Sequence, residues 1–541
     1  MFGNILSNII GIIAFIFVLG VIILIHEGGH FFFARRANIL CREYSFGMGP
    51  LLVGKKKGET LYSIRAFPVG GFCAIAGEEV EEDPFKKVTQ IKLNIVDGVI
   101  KGFYFYDDEK TSQYPTYNII SYDIYDQNDT GNLYMEAELD GVITRFAVDP
   151  QAMLYDRKVE MQIAPHNRTL NSKSLGQRAM VMFGGPLMNF VLAIIVFLIA
   201  GLCTTFPDYK SSTISSVTET GSVSNVLMAN DTITGLKCGS YELEINEWND
   251  ISIFMKTVRD NKLSDKITIT YVREGNTQTA SVYPQYVINT LAVASDISTN
   301  EAIIGNMTSV QDSLIDNSKL QVGDKFIEIN RVSISTWLDV LEVFENNING
   351  DTMSVKIERS GEIIDVEVKP YSHETYELGL GSNSIIYGGN VNEINYTKVN
   401  LGITPEYKFN LGKSLLYTVE KTWDSFKLIF VTIGTLISSN EVGVNNLSGP
   451  VGIFSLTKAV ANQGFLYVLN LIGMLSVNIG LMNLLPIPAL DGGRLVFVAY
   501  EAITKKKPNQ KVETALITVT MILLFGLMIF ITFNDILRLF K

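Results

Sequence analysis

The sequence predicts a polytopic α-helical membrane protein: about four transmembrane helices, a membrane-associated β-hairpin, a cytoplasmic β-rich insertion and external α+β domains. Three observations predict it. Of 541 residues 47% are hydrophobic and the mean hydropathy is +0.21, too apolar for a wholly soluble chain. Four separated stretches are apolar over the ~20 residues that a bilayer crossing needs. The polar sequence between them alternates with period two, the pattern of half-buried strands.

The first span lies in residues 1–36, apolar from Ile5 to Ala34 and closed by Arg35-Arg36. It carries Ile25-His26-Glu27-Gly28-Gly29-His30-Phe31, a His-Glu-x-x-His run with hydrocarbon on both flanks. On a helix His26 and His30 share one face and can grip one metal ion, with Glu27 beside them to take a proton from an attacking water. A chance match is the competing reading. Ionisable groups inside an apolar helix are costly, however, and mark function. With no basic leader region and no small-residue cleavage site, the segment reads as a retained membrane helix rather than a signal peptide. Positive charge follows at Arg42, Lys55-Lys56-Lys57 and Arg65, which puts this end of the span on the cytoplasmic side. At 1.5 Å per residue, the histidines then lie roughly 8–14 Å inside that boundary.

Residues 37–80 hold two glycine-rich apolar runs, Phe46-Gly47-Met48-Gly49-Pro50 and Phe67 to Gly77, read as strands joined by tight turns. A soluble hairpin and one dipping into the membrane fit equally well; the second would offer a strand edge to an extended peptide. Residues 81–173 form a polar, β-rich insertion without a catalytic signature, and His166 reads as a surface histidine. The second span, 178–205, begins with Gly184-Gly185-Pro186 and Asn189. Its small residues admit another helix closely, and Asn189 reads as interhelical glue before substrate contact.

Residues 208–295 and 300–371 are soluble in character and lie outside by the count of spans. Leu320-Gln321-Val322-Gly323-Asp324-Lys325-Phe326-Ile327-Glu328-Ile329-Asn330 resembles a PDZ domain, with a helix around Trp337–Phe344 and strand pairs across Asn349-Gly350-Asp351 and Ser360-Gly361. The 208–295 stretch has a similar strand pattern but lacks the Gly-Asp pair, and reads as a degenerate copy. Such folds take peptide segments at a sheet edge. Residues 372–460 read as linker plus an interfacial amphipathic helix over Leu415–Ile437, with Ser448-Gly449-Pro450-Val451-Gly452 as a loop. The third span, 463–495, runs into Asn483-Leu484-Leu485-Pro486-Ile487-Pro488-Ala489-Leu490-Asp491-Gly492-Gly493, and the fourth is 512–537.

Four crossings bring Asp491 to the same basic side and depth as the histidines. His26, His30 and Asp491 would then give three protein ligands with an open position, a set that favours Zn²⁺ while leaving Fe²⁺ and Co²⁺ open. A membrane helix pairs its own amides and must unwind before hydrolysis; Gly70-Gly71 and Asn478 can hold the extended strand. The external domains would exclude substrates with bulky outer parts. A net charge of −12 argues against nucleic acid, and the four cysteines show no C-x-x-C spacing.

His26-Glu27-x-x-His30, Gly184-Gly185-Pro186 with Asn189, the PDZ-like region and the Asn483–Gly493 run, in that order, resemble the site-2 protease family. These are RseP/RasP-type regulated intramembrane zinc metalloproteases, here of the Gram-positive-like branch. The resemblance implies a multi-pass plasma-membrane enzyme with external termini and its active site towards the cytoplasm. It implies zinc at His26, His30 and Asp491, substrate contacts at Asn478, Pro486 and Pro488, and a re-entrant hairpin at Phe67–Gly77. The implied substrates are single-span membrane proteins in the lipid bilayer: anti-sigma factors already cut once, and remnant signal peptides. Two other classes compete with this reading, a PDZ scaffold with a structural metal and a zinc transporter. The intact Glu27 argues against the first, and the large peptide-binding domains against the second.

Overall fold

Helix formation follows the apolar and amphipathic runs. The computed structural model describes residues 2–78, 83–109, 111–126, 130–156, 159–311, 313–387, 395–438 and 447–539. Parts of the expected linker, 388–394 and 439–446, lie outside the described residues. The helices are α1 (Phe2–Arg36), α2 (Leu175–Leu202), α3 (Trp248–Asp260), α4 (Trp337–Glu345), α5 (His373–Tyr387), α6 (Leu411–Ser438), α7 (Pro450–Gln463), α8 (Phe465–Asn483), α9 (Asp491–Thr504) and α10 (Gln510–Leu539). Four of them are long and apolar enough to cross a membrane, over Ile5–Arg36, Leu175–Leu202, Phe465–Asn483 and Gln510–Leu537, as a polytopic membrane protein requires. The chain divides into two compact units, Met1–Val196 with Ser448–Lys541, and Phe197–Leu447.

In the first unit, strands Cys41–Lys57 and Thr60–Ile75 form one hairpin that doubles back on itself. Residues 43–46 pair with 71–74 on one side and with 61–64 on the other, and 53–57 pair with 60–64. The result is a sheet four segments wide with Gly71–Ile75 along one edge. Its sharp bends fall at Gly47, Gly49 and Gly70, with φ of +85°, +85° and +83°, which glycine adopts without cost. Around these bends Met48, Leu51, Leu52, Val53, Ile64 and Phe67 are all exposed and form an apolar rim of the kind that marks an interaction surface.

The insertion closes on itself. Strands 90–96, 99–104, 142–156, 134–139 and 116–123 pair in a ring, because 99–104 runs antiparallel to 90–96 and parallel to 142–156. Ile91, Leu93, Ile100, Phe103, Met135 and Leu154 fill this small barrel.

The loop expected over Ser448–Gly452 is irregular only to Gly449, the residue that caps α7, and is helical from Pro450. Pro450 stands at its first turn, where a missing N–H costs nothing, and buried Asp535 of α10 accepts from the N–H groups of Gly449 and Gly452, both at 2.8 Å. The third span ends at Asn483, and the two prolines separate it from α9, an amphipathic helix that the sequence reading did not resolve.

In the second unit two repeats have the same strand order. One is 241–244, 232–238, 267–273, 276–282 with α3; the other is 332–333, 325–329, 353–359, 362–368 with α4. Both helices begin with a capping box, Glu247 with Asp250 and Thr336 with Asp339, followed by a buried tryptophan, Trp248 or Trp337. The Gly-Asp turn that the first repeat lacks in sequence is made by Asn230-Asp231. Asn230 has φ +72° where Gly323 has φ +95°, and asparagine tolerates that conformation. Asn349–Asp351 does not join a strand pair as expected; it leads from α4 into strand 353–359, whereas Ser360-Gly361 does turn a hairpin. Strands 397–400 and 403–405 return to pair with 285–288 and 214–217, so the end of this unit completes its beginning.

Candidate metal centre

His26 and His30 sit one turn apart on α1, both more than nine-tenths buried. Their Nε2 atoms are 3.3 Å apart. Asp491, the first residue of α9, brings Oδ2 to 3.3 Å from His26 Nε2 and 3.4 Å from His30 Nε2. Three donors thus form a nearly equilateral triangle. Four ligands at about 2.0–2.1 Å around a tetrahedral ion are separated by about 3.3–3.4 Å, so the triangle has the dimensions of one tetrahedral face. Asp491 Oδ2 is buried without a hydrogen-bond partner, an arrangement that a cation would relieve. Among the described residues this is the one group of three or more His, Cys, Asp or Glu side chains with metal-ligand spacing. Two nitrogens and one carboxylate oxygen with a fourth direction left over suit a catalytic zinc.

The tight crossing of α1 and α2 makes the site. A Cβ on Gly29 would lie 2.0 Å from the Gly184 carbonyl oxygen, and one on Gly185 would lie 2.3 Å from His30 Nε2. Only backbone fits there, which is the reason for Gly184-Gly185. From the same helix the Val181 carbonyl oxygen accepts from His30 Nδ1 at 2.8 Å, and the Asn189 side chain lies 3.2 Å from His26 Nδ1. Asn189 is wholly buried and Ser476 of α8 donates to its backbone oxygen, so the interhelical role expected of it is combined with orienting a histidine.

Glycines also bring Asp491 into place. A Cβ on Gly492 would lie 2.3 Å from the carbonyl oxygens of Leu484 and Leu485, and one on Gly493 2.2 Å from that of Ile487 and 2.5 Å from Pro488 Cα. The chain folds back so closely after the prolines that α9 can start only with glycines behind the aspartate.

Glu27 faces the hairpin edge. The backbone N–H of Cys73 hydrogen-bonds its carboxyl group, and a Cβ on Gly71 would lie 3.4 Å from Glu27 Cγ and 2.7 Å from Ile23 Cγ2. Tyr44 fixes the sheet to the helix by donating to the Leu24 carbonyl at 2.6 Å. Of the expected substrate positions, Gly71 is thus beside Glu27, and Gly70 turns towards Met48 instead. Pro488 packs on Gly493, Pro486 is exposed, and Asn478 has a buried side-chain oxygen with no partner. Sequence reasoning did not find Val181, which acts through a backbone oxygen, nor Glu78 and Arg494, an ion pair beside the site.

The chain matches the model of peptidase family M50 over residues 14–527. It is 31% identical to the zinc metalloprotease RasP of Oceanobacillus iheyensis over 98% of this chain and 99% of that protein. Identity is 28% to the zinc metalloproteases RasP of Shouchella clausii and of Geobacillus kaustophilus, each over 98% of this chain and at least 98% of the relative.

Proposed function

Because the chain belongs to peptidase family M50 and is a membrane zinc metalloprotease, we propose that His26, His30 and Asp491 hold the zinc and that Glu27 is the general base of an intramembrane endopeptidase. The observation that carries this reading is the 3.3–3.4 Å triangle of donor atoms, set one residue from Glu27 on an apolar helix. Held by His26, His30 and Asp491, zinc would supply Lewis-acid polarisation of the scissile carbonyl and a water acidic enough to attack near neutral pH. Glu27 takes the proton released in the attack and returns it to the leaving amine. His30 is held by the Val181 carbonyl and His26 by Asn189, so neither ring rotates away as charge develops.

The substrate is a single-span membrane protein, of the anti-sigma-factor or remnant-signal-peptide class. Its helix must be opened before its amides can react. The edge strand Gly71–Ile75, the partnerless Asn478 oxygen, and the Pro486 and Pro488 loop are the groups suited to hold the opened backbone. By the count of spans and basic flanks the active site faces the cytoplasm, while the termini and residues 208–371 lie outside as two PDZ-like domains able to take peptide segments. Metal analysis and cleavage of a model single-span substrate test the reading, comparing wild type with Glu27→Gln. A well-folded Glu27→Gln protein with normal turnover would overturn it.

A further inference from the structure

Asp491 is the only one of the three donors that does not belong to α1, and nothing covalent within hundreds of residues fixes it relative to the histidines. Its position depends on how α9 is held. The inward residues of α9 form one stripe: Asp491, Arg494, Leu495, Val498 and Glu501 follow at helical spacing. Leu495 packs against the cluster of Ala34, Ile39, Cys73 and Val181, and Val498 is buried. Beyond Asp491, the two other charged members are each paired. Arg494 Nη1 donates to Glu78 Oε1, and Arg178 of α2 donates to Glu501 at 2.7 Å.

Glu78 lies three residues past the end of the edge strand that lines Glu27, across the turn at Ala76-Gly77. The Arg494–Glu78 pair therefore joins, one helical turn from Asp491, the segment carrying the third donor to the strand facing the general base. We propose that Glu78 and Arg494 are positioning residues: their ion pair sets the place of Asp491 in the donor triangle and couples it to the edge strand beside Glu27. This rests on the reading of His26, His30 and Asp491 as the zinc ligands. Both side chains are about three-quarters buried, so the pair is shielded from solvent in a way that a surface pair is not. Arg178–Glu501, three turns along the same stripe, provides an internal comparison that anchors the helix without adjoining the donor.

The test is zinc retention by the full-length protein in lipid nanodiscs, measured as release to a competing chelator, beside thermal stability and cleavage of a single-span substrate. Glu78→Gln and Arg494→Gln are expected to release zinc roughly 10-fold faster than wild type, the lower end of the loss found when a group bonded directly to a metal ligand is removed, because this pair acts on Asp491 through the helix. They should lower kcat more than they raise KM. The reversed pair Glu78→Arg with Arg494→Glu should recover most of the retention, which a general loss of packing would not allow. Glu501→Gln should lower stability while keeping zinc at the wild-type rate. If the single variants do not accumulate, Arg494→Lys, which keeps the charge and loses the guanidinium fork, should show intermediate release. Release at the wild-type rate from Glu78→Gln or Arg494→Lys, or equal loosening by Glu501→Gln, would overturn the positioning role. A wild-type protein that holds no more zinc than His26→Ala would instead overturn the ligand assignment itself.

Discussion

The side-chain nitrogen of Asn189 lies 3.2 Å from Nδ1 of His26, while its carbonyl oxygen is buried with no partner. A histidine that ligates through Nε2 carries its proton on Nδ1, and that proton needs an acceptor. Turning the amide so that Oδ1 faces His26 satisfies both groups at once, and the two orientations are alike in shape. Asn189→Leu should therefore weaken zinc binding by about 10–100-fold with α2 still packed, whereas Asn189→Asp should retain it. Chelator competition on the two purified variants checks this; equal affinity in Asn189→Leu and wild type would refute the part given to Asn189 in orienting His26.

The meeting of the His-Glu-x-x-His run with the Leu-Asp-Gly-Gly run was legible because residue types and spacing mark His26, His30 and Asp491 as candidate ligands, and the structure brings the three together. What the sequence did not yield depends on non-local closeness. Residues 43–46 lie between 71–74 and 61–64, an arrangement that no turn signal dictates. The acceptor for His30 is a main-chain oxygen of Val181, which has no sequence mark. Arg494 and Glu78 are 416 positions apart. The first repeat's turn was hidden for another reason, since Asn230 can take the φ for which a pattern asks glycine.

Glu27→Gln should keep zinc and fold while cleavage falls by about 10²–10⁴-fold, the range for removing a general base. The amide keeps the size of the carboxylate and can still accept from the Cys73 N–H, but it cannot take up the proton. Zinc content and turnover of a single-span substrate, measured on the same preparation, decide it. Loss of zinc together with activity would assign Glu27 a structural part instead.

Gly185→Ala should abolish metal binding more completely than any histidine-neighbour substitution on the outer face of α2. The new methyl would stand 2.3 Å from His30 Nε2 and 2.8 Å from His26 Cε1, inside the triangle's own rings. Either the rings move or α2 does, and both break the 3.3–3.4 Å spacing. Gly176→Ala, at a position with nothing within 4 Å, is the control and should retain wild-type zinc. Stoichiometric zinc in Gly185→Ala would show that the crossing is looser than the glycines imply.

The two repeats share an ion pair placed alike in each. Arg273 binds Asp231 at 2.8 and 2.7 Å and also the Val226 carbonyl; Arg359 binds Asp324 at 2.6 and 2.7 Å and also the Lys319 carbonyl. The Arg273 guanidinium holds the Asp231 carboxyl below the usual carboxylate range. Its folded pKa is thus lower than its unfolded one, so the stabilisation is complete above about pH 4 and is lost as pH falls through the folded value. Asp231→Asn should cost about 2–4 kcal/mol near neutral pH, less than a fully buried pair because the arginine keeps some exposure. Denaturant unfolding of this unit's tryptophans should show the gap between wild type and variant closing below about pH 4. A gap that stays constant down to acid pH would remove the ion pair from the account.

In the proposed topology residues 208–406 should act as a size filter, and the strand pairing shows how to remove them cleanly. Deleting only 208–370 would leave 397–400 and 403–405 without the strands 285–288 and 214–217 that they pair with, exposing unpaired edges. Phe206-Pro207 and Tyr407-Lys408 pair with each other, so the chain enters and leaves at one place. Removing 208–406 and joining Pro207 to Tyr407 through a short glycine-serine turn keeps that pair and leaves the four candidate spans untouched. The shortened enzyme should cleave a single-span substrate with a trimmed outer part as fast as the full chain does. It should also cleave the same substrate with a bulky outer domain, at a rate that rises severalfold over the full-length enzyme's. Selectivity between the two substrates that is unchanged by the deletion would rule the filter out and leave peptide capture as the role of the two repeats.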